Sequence, residues 1–214
     1  MPGRFLVVEG IDGSGKSSQV ELLGRWLPHS GLMPPGAELV VTREPGGTPL
    51  GKQLYNILLN PQLALHRQAE LFLFAADRAQ HVETKIRPAL SQGNWVVSDR
   101  FSGSTVAYQG YGRGCDLELI DTLEQVATGG LTPDLTLWLD LPPQQAHDRQ
   151  GLQPPLPEKD PFEGAGLGFA QRVAHGFQQL AGERGWWPIA AGEPLAVVEA
   201  AIQHACRSTF ALDR

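Results

Sequence analysis

One run of residues has the types and the spacing to bind phosphate. Gly10-Ile11-Asp12-Gly13-Ser14-Gly15-Lys16-Ser17 matches G-x-x-x-x-G-K-[ST] at every fixed position, with Ser18 directly after it. Three glycines let successive backbone N–H groups turn inward around a phosphate, and a helix starting near Lys16 aims its positive end at the same spot. The Lys16 ammonium then reaches the β- and γ-phosphates of a nucleotide, and the Ser17 hydroxyl is placed to ligate Mg²⁺. A glycine-rich turn can match such a pattern by chance. Here the apolar residues Phe5 to Val8 read as a buried strand before it, and Val20, Leu22, Leu23 and Leu27 read as a helix after it. That context makes the run a nucleotide-phosphate site.

Two further polar clusters stand at strand ends: Arg43-Glu44 after Leu39–Thr42, and Asp99-Arg100 after Trp95–Ser98. In an open parallel sheet, ligands collect at the carboxyl ends of the strands, so both clusters should converge on the phosphate loop. A lysine and two arginines in one crevice suit more than one phosphate group. The plainer readings are a surface bridge between Arg43 and Glu44 and a local pair between Asp99 and Arg100. Phe74 and Arg78 lie four apart, with Glu70 one turn earlier, and so share a helix face. An aromatic ring beside a guanidinium can hold a pyrimidine base, although the same pair also fits a helix edge whose Phe is in the core.

The elements that must carry these residues alternate along the chain. Helices are expected at 16–27, 49–59, 67–91, 104–109, 116–128, from 142, at 169–180 and at 194–210. Gly110, Gly112 and Gly114 are expected to break the short helix at 104–109. Strands are expected at 5–8, 39–42, 95–98, 135–139 and 187–190. This alternation predicts an α/β fold, a parallel five-stranded sheet with helices on both faces, in one domain over 1–214. Proline and glycine crowd residues 150–168, which reads as a mobile lid. Trp186 and Trp187 read as packing residues.

Composition narrows the class. A 214-residue chain can bury a full core, and its 42% hydrophobic and 19% charged content is ordinary for a globular protein. A net charge of −6 argues against a broad nucleic-acid or anionic-membrane surface, while leaving room for a few local arginines. Cys115 and Cys206 fall in no CxxC or Cys/His spacing, so neither a disulfide framework nor zinc is expected, and a reducing, cytoplasmic setting fits. Residues 1–10 lead into the first strand, so no signal peptide is expected, and no apolar run approaches membrane-spanning length.

Four stretches together give the chain a family resemblance. GIDGSGKSSQ at 10–19, TREPGGT at 42–48, LFLFAADRAQHVE at 71–83 and DRFSGSTVAYQG at 99–110 resemble thymidylate kinases, and the likeness extends through LTLWLD at 135–140. The resemblance implies a P-loop kinase that moves the γ-phosphoryl of ATP onto dTMP with Mg²⁺, working as a homodimer. It implies that Asp12 contacts the sugar 3′-hydroxyl and that Arg43 and Arg100 bind the acceptor phosphate. Phe74 would stack on thymine, Arg78 would hydrogen-bond its O4, and Thr105, beside Ser104, would reach the base edge. Tyr108 would lie under the sugar and disfavour a 2′-hydroxyl, while Asp99 would help organise Mg²⁺ with Ser17 as its ligand.

The chain departs from the family in the lid. Phosphoryl transfer needs a cation at the developing charge. The phosphate loop offers only Gly13 and Ser14 where one class of the family carries an arginine. The lid motif D-R-x-E reads Asp160-Pro161-Phe162-Glu163 here, which keeps Glu163 for the acceptor but loses the arginine. Arg149 is the first candidate for the missing cation and Lys159 the second, with Arg172 just beyond. Two competing functions stand beside this reading. One is a kinase for another nucleoside monophosphate, against which Phe74, Arg78 and the AYQG stretch count. The other is a non-catalytic nucleotide-binding module, which would need no second phosphate site.

Overall fold

A computed structural model of the chain describes residues 3–151 and 166–211. Strands β1 (Phe5–Gly10), β2 (Leu39–Arg43), β3 (Trp95–Asp99), β4 (Leu135–Asp140) and β5 (Trp187–Ala190) form one parallel sheet in the order β2-β3-β1-β4-β5. β1 is central and buried along its whole length, which is why its sequence is nearly continuous in apolar residues. Its side chains alternate between two cores. Leu6 and Val8 face one with Leu137, Leu139 and Ile189, while Phe5 and Val7 face the other with Val96 and Phe101.

Helices cover both faces. α1 (Lys16–Trp26), running on into a short 3₁₀ turn at Leu27–His29, packs beside α9 (Leu195–Phe210), which buries Val198, Ile202 and Cys206. On the other face, α3 (Arg67–His81) continues through a wider π-helical turn at Val82–Ile86 into α4 (Arg87–Ser91), so the helix expected at 67–91 is continuous. Val82, Ile86 and Ala89 plug the core beneath it. α2 (Pro49–Leu59) opens on a Thr48 cap that accepts from the Gly51 N–H at 2.9 Å, with proline at its first position.

One expectation fails. Gly110 and Gly112 do not break the short helix. α5 (Ser102–Thr105) runs into a π-helical segment, Val106–Gly112, that contains both. Each is glycine because of close packing. A Cβ on Gly110 would sit 2.5 Å from Leu117, and one on Gly112 would sit 2.6 Å from Phe169. α6 (Leu117–Thr128) follows, then α7 (Pro143–Gly151) and α8 (Leu167–Arg184). Of the expected lid, residues 152–165 lie outside the described residues, including Lys159 and Glu163, while the flanking residues close α7 and open α8. Among the described residues, no helix is long and apolar enough to cross a membrane.

Candidate active site

The sheet register sets the site. Val8 pairs with Asp99 and Asp99 pairs with Arg43, so the phosphate loop and both polar clusters leave the sheet at one end. A crevice of 660 Å³ opens there, lined by Asp12, Gly13, Gly15, Lys16, Ser17 and Ser18 of the loop. Arg43, Phe74, Arg78, Asp99, Arg100, Ser104, Thr105, Tyr108 and Arg149 are among the residues that line its other sides. Gly10, Ile11 and Ser14 stand behind this surface. Ile11 packs in the core, and its carbonyl accepts from Lys16 Nζ at 2.8 Å. Gly13 and Gly15 adopt φ of 81° and 89°, left-handed backbone that lets the loop fold back on itself. Gly13 also lies so close to α7 that a Cβ would meet the Ala146 carbonyl oxygen at 2.8 Å.

The charged groups hold one another in place. Arg100 has φ of 71°, unusual for a residue with a Cβ, which turns its side chain back over the phosphate loop. There it donates to the Gly10 carbonyl at 3.0 Å, to Ser104 Oγ at 2.9 Å and to Asp12. Tyr108 Oη donates to Asp12 Oδ2 at 2.6 Å, with the Arg100 guanidinium 5.0 Å from its ring. Burial opposes ionisation of Asp12, but the charges of Arg100 and Lys16 outweigh it and hold the carboxyl below the usual range. Burial, with the Arg100 charge adding, pushes the Lys16 ammonium down to about 8. Ser17 Oγ donates to Asp99 Oδ2 at 2.9 Å, which brings together an all-oxygen pair of the hardness Mg²⁺ prefers.

The plainer pairings are not those found. Glu44 turns from Arg43 toward Arg78 Nε at 2.8 Å and His81 Nδ1 at 2.8 Å, and Asp99 takes the Ser17 hydroxyl. Phe74 lines the crevice half-buried, one turn before Arg78. Glu70 of the same face accepts from Gln109 Nε2 at 3.0 Å and Arg113 Nε at 3.3 Å. Arg149 lines the crevice too, and its Nη2 donates to the Ala191 carbonyl at 3.1 Å. Arg172 is engaged elsewhere, donating to the Gly112 carbonyl at 3.0 and 3.2 Å.

Sequence reasoning missed two acids that support this crevice, and it did not give Glu44 its partners Arg78 and His81. Glu9, on β1, accepts from the Phe101 and Ser104 N–H groups at 3.0 and 3.1 Å and from Ser104 Oγ at 2.6 Å. Burial raises its carboxyl above the ordinary value, against the Ser104 bond and the Arg100 charge. The second is Glu124 of α6, which pairs with Arg78. The one available signal was a lone acid in the apolar run FLVVEG, which pointed to a buried partner without naming it.

Comparison with known proteins agrees with this geometry. A family model described as thymidylate kinase matches residues 8–202. The chain is 57% identical over 206 residues to a thymidylate kinase of Synechococcus sp. (strain CC9605), covering 95% of this chain and 96% of that one. It is 53% identical over 214 residues to that of Synechococcus sp. (strain RCC307), covering 99% of each. Among solved structures, thymidylate kinase from Ehrlichia chaffeensis superposes with a TM-score of 0.74 at 32% identity, over 95% of this chain and 99% of that one.

Proposed function

The chain belongs to the thymidylate kinase family, and from that premise we propose how its crevice phosphorylates dTMP to dTDP with ATP as donor. One observation carries the reading: Arg43 and Arg100 converge beside a complete phosphate loop, so the crevice has cations for an acceptor phosphate as well as a donor. A nucleotide-binding module has no use for the second set.

The loop backbone and the first turn of α1 hold the donor's phosphates, with Lys16 moving from the Ile11 carbonyl onto the β- and γ-groups. Arg43 and Arg100 hold the acceptor phosphate in line. Its second ionisation lies near pH 6, so an acceptor oxygen is already anionic and needs no general base. That oxygen bonds to the γ-phosphorus as the bond to the β,γ-bridging oxygen breaks, and ADP leaves with the electron pair. Asp12, kept ionised by Arg100 and Lys16, accepts from the sugar 3′-hydroxyl. Tyr108, which donates to Asp12, is assigned the place under the sugar, where it disfavours a 2′-hydroxyl. Phe74 stacks on thymine, Arg78 donates to O4, Thr105 and Ser104 flank the base side, and Glu163, outside the described residues, is assigned to the acceptor by the motif alone. Arg149 is the cation for the transferring group, because α7 is seated directly on the phosphate loop at Gly13. Mg²⁺, held by Ser17 and organised by Asp99, would neutralise charge on the donor's phosphates.

The protein acts as a single domain, as a homodimer, and in the cytoplasm, where its two buried free cysteines suit a reducing setting. The deciding experiment is ADP release from ATP across dTMP, dUMP, dCMP, UMP, dGMP and AMP. The reading requires dTMP to give the highest kcat/KM. Faster turnover of another monophosphate would reassign the acceptor, and nucleotide binding with no transfer to any of them would overturn the kinase reading.

A further inference from the structure

Arg78 is 2% exposed and held from several sides. Nε donates to Glu44, Nη1 donates to Thr105 Oγ1 at 2.8 Å and to Glu124, and Nη2 donates to the Phe101 carbonyl at 3.1 Å. A guanidinium has five N–H groups, and these bonds use Nε–H, both on Nη1 and one on Nη2. What is left over is one N–H on Nη2. Glu44 is itself anchored through His81 Nδ1, whose Nε2 lies 2.7 Å from Thr42 Oγ1.

Glu124 has no such anchoring. It is 6% exposed, one oxygen meets Arg78, and Oε2 has no hydrogen-bond partner among the described residues. Burial drives its carboxyl up to about 6, although Arg78 pulls the other way. A second buried carboxylate on an arginine that already has one is a costly way to stabilise a core, and an apolar side chain of similar size would cost less. Its purpose therefore lies with Arg78.

We propose that Glu124, from α6 and outside every nucleotide motif of the sequence, is a specificity-determining positioning residue that fixes the Arg78 guanidinium so that it offers one donor to the base. This rests on the reading above that Arg78 faces O4 of thymine. A fixed donor accepts the carbonyl of thymine and opposes the amino group of cytosine, which also donates. An arginine free to swing would step aside and expose the Glu44 carboxylate, which accepts from that amino group.

The test is Glu124→Gln, which keeps the shape and removes the charge. The dTMP KM should rise about tenfold, the usual worth of a charge-assisted hydrogen bond, with kcat within about twofold and the ATP KM unchanged. The kcat/KM preference for dTMP over dCMP should fall about tenfold. A second readout uses thymidine, which has no phosphate to titrate. Its binding to the wild-type protein should weaken from pH 7 to pH 5 as Glu124 takes a proton, and should stay level in Glu124→Gln. The charged groups facing Glu124 are Arg78 from α3, Glu44 after β2, and Arg184 at the end of α8. Glu9 of β1, Asp121 of α6 and Asp134 before β4 share with it and Arg184 the wall of a second cavity of 550 Å³.

Arg78→Ala separates the two claims. If it leaves the dTMP preference intact, the base-edge reading fails and the role of Glu124 with it. If Arg78→Ala erases the preference while Glu124→Gln keeps it at wild-type KM, the positioning role alone falls. Should Glu124→Gln not fold, Glu124→Asp replaces it with the same expected split. Failure of both to fold makes the residue structural and overturns the proposal.

Discussion

Lys16 stands in the free protein with its ammonium on a loop carbonyl, buried and losing its proton near pH 8. A lysine with its pKa lowered is charged below that value and neutral above it, and an arriving triphosphate favours the charged form. ATP binding at pH 8.5 should therefore take up a proton, measurable as the difference in binding heat between two buffers of unlike ionisation enthalpy. At pH 6.5 the uptake should vanish. Lys16→Ala should remove both the uptake and nearly all turnover, and uptake that survives the substitution would belong to another group. Arg149 is the other residue whose role is open to measurement. Its bond to the Ala191 carbonyl is a resting place for a side chain that also lines the crevice. If it neutralises the transferring phosphoryl group, Arg149→Ala lowers kcat at least about a hundredfold with dTMP KM little changed. If it only tethers α7 to the end of β5, thermal stability drops and kcat does not. In that case Lys159 is the next substitution to make.

At the scale of elements, the turn after β2 is set by what it docks on. Asp77 of α3 accepts from the Gly46 N–H at 3.1 Å, and Glu44 meets Arg78 and His81 of the same helix. Gly51, in the first turn of α2, leaves the space Asp77 needs, since a Cβ there would stand 2.1 Å from Asp77 Oδ1. Asp77 is itself buried at the crevice wall, and the same Oδ1 is held by the Gly46 N–H. Gly51→Ala should therefore cost about 1–3 kcal/mol by overpacking and lower the melting temperature. It should also raise dTMP KM by displacing the turn that carries Arg43. A melting curve superposing on that of the wild type would show that the turn yields without cost. The same docking explains what sequence could and could not disclose. Strand ends and the phosphate loop are local patterns, so β2, α2 and β5 were legible to within a residue. Gly110 and Gly112 read as breaks because glycine is a poor helix former, yet their neighbours Leu117 and Phe169 require the missing Cβ. Glu124 lies 46 residues from Arg78, and no periodicity within α6 points to an arginine on α3.

On the scale of the whole molecule, three helices lie side by side, α2 on α3 and α3 on α6, and each carries exposed apolar residues. On α2, Leu58 is 3% exposed and belongs to the core, while Leu54 is half-buried. Among the described residues of these helices, the exposed large apolar side chains are Leu50 and Ile57 of α2, Phe72 of α3 at 51%, and Leu117 and Val126 of α6, Val126 at 78%. Successive helix residues turn about 100°, so Phe72 and Phe74 leave α3 on nearly opposite sides. Phe74 goes to the crevice and Phe72 to the outer surface, so α3 would be the wall shared by the proposed base pocket and the proposed dimer interface. Burying about 800 Å² on each chain is the usual size for a stable pair. Sedimentation equilibrium should then give twice the 23.2 kDa of one chain. Phe72→Glu, which places a charge in that interface, should shift the protein to monomer at micromolar concentration. Because the same helix holds Phe74 and Arg78, the monomer should also bind dTMP more weakly while its ATP KM changes little. A wild-type protein that sediments as one chain would end the dimer reading. A Phe72→Glu dimer would move the interface off α3, with Val126→Glu the variant that then tests whether α6 carries it alone.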